Sequence, residues 1–415
     1  MLFTLFIILL YRLGNSVPVP YINKADLANY FQAYSNTVLG LYNVMSGSAF
    51  SHATIFALSI QPYINASIIL QLLCIAIPAL ERLQKEGGEE GRKKIASITR
   101  YTTVGIGLLQ GFAYYVLIRN NSLLLEQGST VWAAVVIILT FTAGSALIMW
   151  LGEQITEFGI GNGISIILFV SIVSRFPSAI INMVRNTIAD PSKWWIYLIM
   201  LAGALAIIVL IVFVTDAERR IPVQYSKRVV GRKVYGGQST HLPIKVNMSG
   251  VLPIIFAQSI ASLPATIAAF FQSPKAGSFW AKVLELFDTT SFFYMAVYFL
   301  LIIFFSYFYS TIQFNPVEVS NNLKKNGGYI PGFRPGKPTS DFISKVLRKI
   351  TMFGAIYLAI IALTPLIVGR FSTTAASSGI SLGGTSIIIV VGVALETVKA
   401  LEAQMLMRHY KGFLE

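Results

Sequence analysis

A single cysteine, Cys74, among 415 residues leaves no disulfide framework and no paired-cysteine metal site to consider. It lies inside an apolar run, where a free thiol behaves as a small core residue. The three histidines, His52, His241 and His409, fall in unrelated segments, which argues against a histidine-based metal site. Charge is scarce too: Asp, Glu, Lys and Arg make up 12% of the chain, against roughly 25% in a water-facing domain. A Walker A loop is absent, so no nucleotide motor is built in. The stretch Gly159-Ile-Gly161-Asn-Gly163 follows no strand and misplaces its last glycine for a dinucleotide loop; it reads as a tight turn entering a helix. Glu153 and Glu157, beside that turn, read as solvated or capping carboxylates.

Apolar residues supply 55% of the chain and the mean hydropathy is +0.67. The apolar runs are long and unbroken instead of alternating about every second residue, which excludes a β-barrel. An all-α polytopic membrane protein is expected, because backbone amides in lipid are bonded within helices. Apolar runs lie near 1–14, 60–80, 95–118, 130–150, 160–183, 194–214, 249–271, 292–312, 350–370 and 383–406. At roughly 20 residues per span, these predict ten transmembrane helices. Arg12 and the exit Val17-Pro-Val-Pro20 do not match a small-residue cleavage site. The first run therefore reads as a short, trimmed first span and not as a signal peptide.

The formal net charge of +14 is unevenly placed. Lys and Arg concentrate at 82–100, 219–245 and 324–349, twenty in all, whereas the alternate loops hold eight. The positive-inside rule puts the rich loops in the cytoplasm, and with ten spans both termini as well. Two of these loops, about 215–247 and 314–348, are longer than a topogenic signal needs. They read either as solvated positive-inside loops or as a docking surface for an acidic or RNA-bearing partner.

The halves repeat. Pro62-Tyr-Ile64-Asn-Ala66 and Pro253-Ile-Ile255-Phe-Ala257 match around the second and seventh spans. Gly163-Ile-Ser165-Ile166-Ile167-Leu168 and Gly384-Thr-Ser386-Ile387-Ile388-Ile389 match around the fifth and tenth. Both pairs give a shift of five helices, and an odd shift reverses direction through the membrane. Two pseudo-symmetric inverted halves follow, 1–183 and 194–406 with a tail at 407–415, and such halves place a site at their interface. Ile64 pairs with Ile255 and Leu168 with Ile389, while Ile60 and Ile164 stand one turn before their partners on the same helix faces. A ring of six aliphatic side chains blocks water and ions by dewetting. From periodicity alone the same residues equally suit plain packing or contact with lipid. Coupled transporters usually carry intramembrane charge, yet the predicted spans offer only Glu396, Lys399 and Arg12.

Several motifs carry a resemblance: Phe56-Ala-Leu-Ser-Ile-Gln-Pro-Tyr-Ile-Asn-Ala-Ser-Ile68, Met149-Trp-Leu-Gly-Glu-Gln-Ile-Thr-Glu157, Gly159-Ile-Gly-Asn-Gly-Ile-Ser-Ile166, Gln238-Ser-Thr-His-Leu-Pro-Ile-Lys-Val-Asn247, Asn322-Leu-Lys-Lys325, Pro331-Gly-Phe-Arg-Pro-Gly336 and Gly383-Gly-Thr-Ser-Ile387. In these the chain resembles the SecY family, the central channel subunits of the bacterial protein-export machinery. The resemblance implies a protein-conducting channel in the bacterial cell membrane, with no catalytic residue and no cofactor. The family's pore ring falls on Ile60, Ile64, Ile164, Leu168, Ile255 and Ile389, the six positions already selected. A plug is implied at about 41–57, loosely helical and weakly packed. A lateral gate between the second and seventh spans is implied at Asn65 and Gln71 on one side, and at Gln258, Ser259 and Leu263 on the other. The two basic loops are implied to dock the ribosome, through its RNA, or the motor ATPase SecA, at Arg220, Arg232, Lys233, Lys324, Lys325 and Arg334. Further implied partners are the small subunits SecE and SecG, signal peptides, nascent polypeptides and membrane lipids. The sequence departs from the family in lacking the cytoplasmic segment before the first helix, which bears on the small-subunit contacts, and in Phe158, where a polar or basic residue is usual. Competing expectations are a secondary transporter of a small solute, and a membrane receptor or scaffold that has no use for an aliphatic ring.

Overall fold

A computed structural model of the chain describes residues 2–33, 38–85, 87–125, 128, 130, 131–189, 191, 194–225, 228–230, 233–235, 239–248, 250–270, 286–287, 291–371 and 384–411. The first half contains α1 (Leu2–Gly14), α2 (Lys24–Ala33), α3 (Val38–Met45), α4 (Gln61–Ala76), α5 (Pro78–Lys85), α6 (Gly88–Asn120), α7 (Val131–Phe158), α8 (Gly163–Val173) and α9 (Phe176–Ala189). The second contains α10 (Trp194–Asp216), α11 (Leu252–Phe270), α12 (Phe292–Gln313), α13 (Pro316–Lys325), α14 (Lys337–Phe371) and α15 (Gly384–Lys411). Among the described residues there are five strands, β1 (Glu218–Tyr225), β2 (Arg228–Val230), β3 (Lys233–Tyr235), β4 (Ser239–Lys245) and β5 (Gly328–Tyr329).

Among the described residues, six helical segments are long and apolar enough to cross a membrane, and a bent pair makes up to seven. That pair is α4 and α5, which meet at 106°. Proline lacks the amide that would continue α4 and pushes its predecessor out of the helical region. Ile77, before Pro78, is accordingly extended at φ −109°, ψ 111°. Leu2–Gly14 and Leu252–Pro264 are apolar but shorter than a full span. Among the described residues, length and hydropathy therefore do not reach the expected count of ten. The fifth predicted run also differs: helix begins at Gly163, breaks at Ser174–Arg175 and continues to Ala189.

The packing repeats across the two halves. In the first, α4 packs on α6, α6 on α7, α7 on α8, α4 on α7 and α1 on α8. In the second, α11 packs on α12, α12 on α14, α14 on α15, α11 on α14 and α10 on α15. Each pair is its counterpart shifted by five apolar helices, the shift read from the sequence. The halves meet through α8 against α15, and through α11 against α4 and α6. Close approaches inside each half rest on small residues, the usual device where lipid offers no hydrophobic drive. Gly107 and Gly111, one turn apart on α6, face α7: a Cβ there would lie 3.1 Å from Ser145 Oγ and 3.2 Å from the Ile138 carbonyl. At the α7–α8 crossing, a Cβ on Gly163 would sit 2.0 Å from the carbonyl oxygen of Gly152.

Both basic loops join in one small folded unit. Strands β4, β1 and β5 form an antiparallel sheet in that order, with Ile221 opposite Leu242 and Gln224 opposite Tyr329. Ile221, Val223, Ile244, Ile330, Ile343 and Leu347 are its buried core. One loop supplies three of these six and the other loop with α14 supplies the rest, so each loop lacks a core without its partner.

Candidate functional site

Each of the six aliphatic residues is held by a local device. Ile60 stands at the N-cap of α4, whose first turn accommodates Pro62 because no amide is needed there. Ile164 and Leu168 follow Asn162, whose Oδ1 accepts from the amides of Ile164 (3.0 Å) and Ser165 (3.4 Å) and so starts α8. Ile255 lies in the first turns of α11 and Ile389 in those of α15. Ile60, Ile64, Leu168, Ile255 and Ile389 are buried in one hydrophobic cluster, and Ile164, half-buried, packs against it. The cluster draws on both halves and contains Met45 and Phe56 from the segment expected as a plug.

That segment is helical only to Met45; Ser46–Ile60 is a chain of turns. Weak packing was expected, yet Met45, Ala49, Phe50, Ala53, Phe56 and Ala57 are all buried. Side chains replace helix bonds: the Phe50 amide donates to Ser46 Oγ (3.1 Å), the Ser51 amide to Asn43 Oδ1 (3.0 Å), and the Tyr114 hydroxyl to the Phe50 carbonyl. Gly47, at φ +64°, lets the turn approach α8, where a Cβ would meet the Ser171 carbonyl at 2.8 Å. Strain offsets this packing. Ser48, Ala53 and Ser59 adopt φ of 73°, 43° and 50°, left-handed values that disfavour any side chain.

The five residues expected at the gate lie on α4 and α11. Gln71 donates to Ser67 Oγ on its own helix (3.4 Å), and Asn65 is half-buried. Among the described residues no hydrogen bond joins either of them to α11. Gln258 is buried, Ser259 half-buried, and Leu263 is exposed. What bridges the two helices is Met45: Gln61 Nε2 lies 3.0 Å and Gln258 Nε2 3.9 Å from its Sδ. Sequence reasoning passed over Gln61 and Met45. A glutamine opening an apolar span was a signal; a methionine in a turn-rich stretch gave none.

Of the basic positions, Arg220 lies on β1 with its Nε 2.7 Å from Glu218 Oε1. Lys324 and Lys325 are exposed in the last turn of α13, and Arg334 is exposed in the turn after β5. Lys233 lies on β3, and Arg232 is outside the described residues. The sheet therefore gathers Arg220 of one loop and the α13–β5 turn of the other on one body.

Three sequence readings change. Glu153 is not merely solvated: it pairs with Arg100 at 2.9 Å, tying α7 to α6. Phe158 packs edge-on against Phe3 at 6.1 Å between ring centres, so it fastens α1 to the end of α7. Lys399 pairs with Asp216 at 2.5 Å, which joins the end of α10 to α15.

Residues 54–398 match the protein family described as SecY. The protein translocase subunit SecY of Streptomyces scabiei is 45% identical over 425 residues, spanning 100% of this chain and 96% of that protein. The protein of the same name from Mycobacterium tuberculosis (strain H37Rv) is 42% identical over 429 residues, with the same two coverages. Among solved structures, one of a protein-conducting channel superposes with a TM-score of 0.66 at 17% identity, covering 98% of this chain and 92% of that one. Sec61 in the canine ribosome–channel complex from the endoplasmic reticulum gives 0.61 at 16% identity, with the same coverages. At such identities these structures bear on the fold alone.

Proposed function

The chain belongs to the SecY family, and we propose that Ile60, Ile64, Ile164, Leu168, Ile255 and Ile389 form the seal of its protein-conducting channel. The observation that supports this reading is that five of the six side chains are buried in the one large hydrophobic cluster shared by both halves, with Ile164 packed against it. Apolar contacts have no preferred direction, so such a ring closes around a passing chain of any sequence and closes again behind it. Water gains no hydrogen bonds between aliphatic walls, which keeps ions out while the ring is empty. Residues 41–57 act as the plug on the outer side. Their many buried side chains hold the plug in place, and two left-handed residues, Ser48 and Ala53, keep it displaceable.

A lateral exit between α4 and α11, near Asn65, Gln71, Gln258, Ser259 and Leu263, releases apolar segments into lipid. The sheet unit with Arg220, Arg232, Lys233, Lys324, Lys325 and Arg334 receives the energy source, the ribosome or the ATPase SecA. Ribosome docking is supported by structural neighbours in ribosome-bound channel complexes, the canine Sec61 and the yeast Ssh1. SecE and SecG complete the complex. The channel sits in the bacterial cell membrane with ten spans, both termini cytoplasmic and no chemical step of its own. Reconstitution of the complex with SecA and ATP tests the whole reading. A secretory precursor should become protected from added protease; a preparation that leaves it digested while moving a small solute removes the channel function.

A further inference from the structure

We propose that the Met45 thioether is a latch that fastens the plug to both gate helices, so that parting of α4 and α11 itself frees the plug. The proposal rests on the channel reading above and deepens it. Met45 ends α3, which packs between α8 and α11. Gln61 opens α4, and Gln258 lies in α11. All three side chains are buried, at 5%, 5% and 7% exposure for Met45, Gln61 and Gln258. The two amide nitrogens converge on one sulfur from opposite helices, at 3.0 Å and 3.9 Å. Among the described residues neither nitrogen has another acceptor.

The choice of atom matters. A buried amide left without an acceptor is costly, so an aliphatic residue in place of Met45 strands two donors. A carboxylate would bind them strongly and oppose opening. A thioether is a weak acceptor on a flexible stem, which holds while both helices stay close and lets go when they separate. The contact to Gln258 is already long, so a small displacement of α11 ends it. Gln258 Oε1 is buried with no hydrogen-bond partner among the described residues, so the contact to Met45 is the polar tie of this side chain. The same three residues border a cavity of about 10 Å³, space for about one water-sized sphere, which Tyr42, Ser259 and the ring residue Ile255 also line. Plug, gate and ring thus adjoin at one place.

The test compares Met45→Leu with Met45→Gln in the purified, reconstituted channel complex, read as resting anion leak from vesicles. Leucine keeps the volume and apolarity of methionine but accepts nothing; glutamine is polar but accepts. The latch requires a leak about five- to tenfold above wild type for Met45→Leu, and a leak near wild type for Met45→Gln. With Gln61→Leu and Gln258→Leu already present, Met45→Leu should add nothing. The reverse order, a tight Met45→Leu and a leaky Met45→Gln, makes Met45 a packing residue only and overturns the latch. Equal behaviour of the two variants, leaky or tight, overturns it as well. Protease protection of a precursor by the wild-type complex is measured alongside. If it succeeds while the leak pattern fails, the latch is wrong and the channel stands; if it fails, the channel reading itself is lost.

Discussion

Gly144→Ala adds one methyl group where α7 touches the turns of the plug. The new carbon would stand 2.0 Å from the carbonyl oxygen of Ile55. Carbon and carbonyl oxygen rest no closer than about 3.3 Å, so one element must retreat by roughly 1.3 Å. Helix α7 is confined on the α6 side by Gly107 and Gly111, and at its far end by the Gly152–Gly163 crossing. Ile55 lies in turns and not in a helix; its amide donates a hydrogen bond to the Val17 carbonyl (3.0 Å), Thr54 bridges to Pro18, and its side chain packs against two hydrophobic clusters without being fully buried. The plug is therefore the part that moves. Overpacking of this kind costs about 1–3 kcal/mol, and if that falls on the closed state the open fraction rises about 5- to 150-fold. Single-channel conductance in planar bilayers measures this directly as open probability without a substrate. Gly105→Ala on α6, where a Cβ meets nothing within 4 Å, is the silent control. An open probability for Gly144→Ala equal to wild type, with thermal stability unchanged, would refute the claim that Ile55 yields and that its displacement unseals the pore.

Replacing Ile64 and Ile255 with Asn should wet the ring, raise the ion leak and allow export of precursors with defective signal peptides; an unchanged leak in both would remove these residues from the seal. Arg334→Glu should cut SecA-driven export by tenfold or more while the thermal midpoint holds, because the side chain is exposed at a turn; normal export would take it off the docking surface. Val223→Asp buries a charge in the sheet core that holds the two loops together. Limited proteolysis should then cut both loops, not only the one mutated, and cleavage confined to 218–245 would contradict a shared core. Asn162→Ala removes the cap that starts α8 and should lower stability by about 1 kcal/mol, read as a fall in the melting temperature of the detergent-solubilised complex.

The fold was legible wherever apolar runs were long, because the bilayer imposes one solution on them. The repeat was legible too, since Pro62 with Pro253 and Gly163 with Gly384 mark corresponding helix starts. Short elements escaped. The bend at Pro78 interrupts a run that composition alone reads as one span, and Ile77 is apolar on either side of the bend. The six aliphatic positions show in the sequence as a spacing, but their burial in one cluster depends on how α4, α8, α11 and α15 pack, which no local pattern specifies. The close packing of residues 41–57 is hidden in the sequence for a specific reason: their small residues suggest looseness, but Asn43, Ser46 and Tyr114 satisfy the turns in place of a helix. Glu153 reads as a solvated or capping carboxylate in the sequence because its partner Arg100 lies 53 residues away. The sequence reading named no strand in either basic loop: the alternation Ile221, Val223 spans too few residues to stand out, and nothing showed that β5 would complete the sheet of β1 and β4.

That sheet sets an order on biosynthesis. Strand β1 is made more than a hundred residues before Tyr329, its neighbour in β5. Until α11, α12 and α13 have left the ribosome, the β1–β4 hairpin waits with one edge unpaired and half its core missing. An open edge of this kind is prone to pair with a foreign strand. The nascent protein is thus most vulnerable at a late stage, when most of its spans are made but its cytoplasmic unit is still unclosed. Arrested chains ending before Gly328 should be degraded or aggregate faster than chains that reach Leu347, although the two differ by less than one membrane helix.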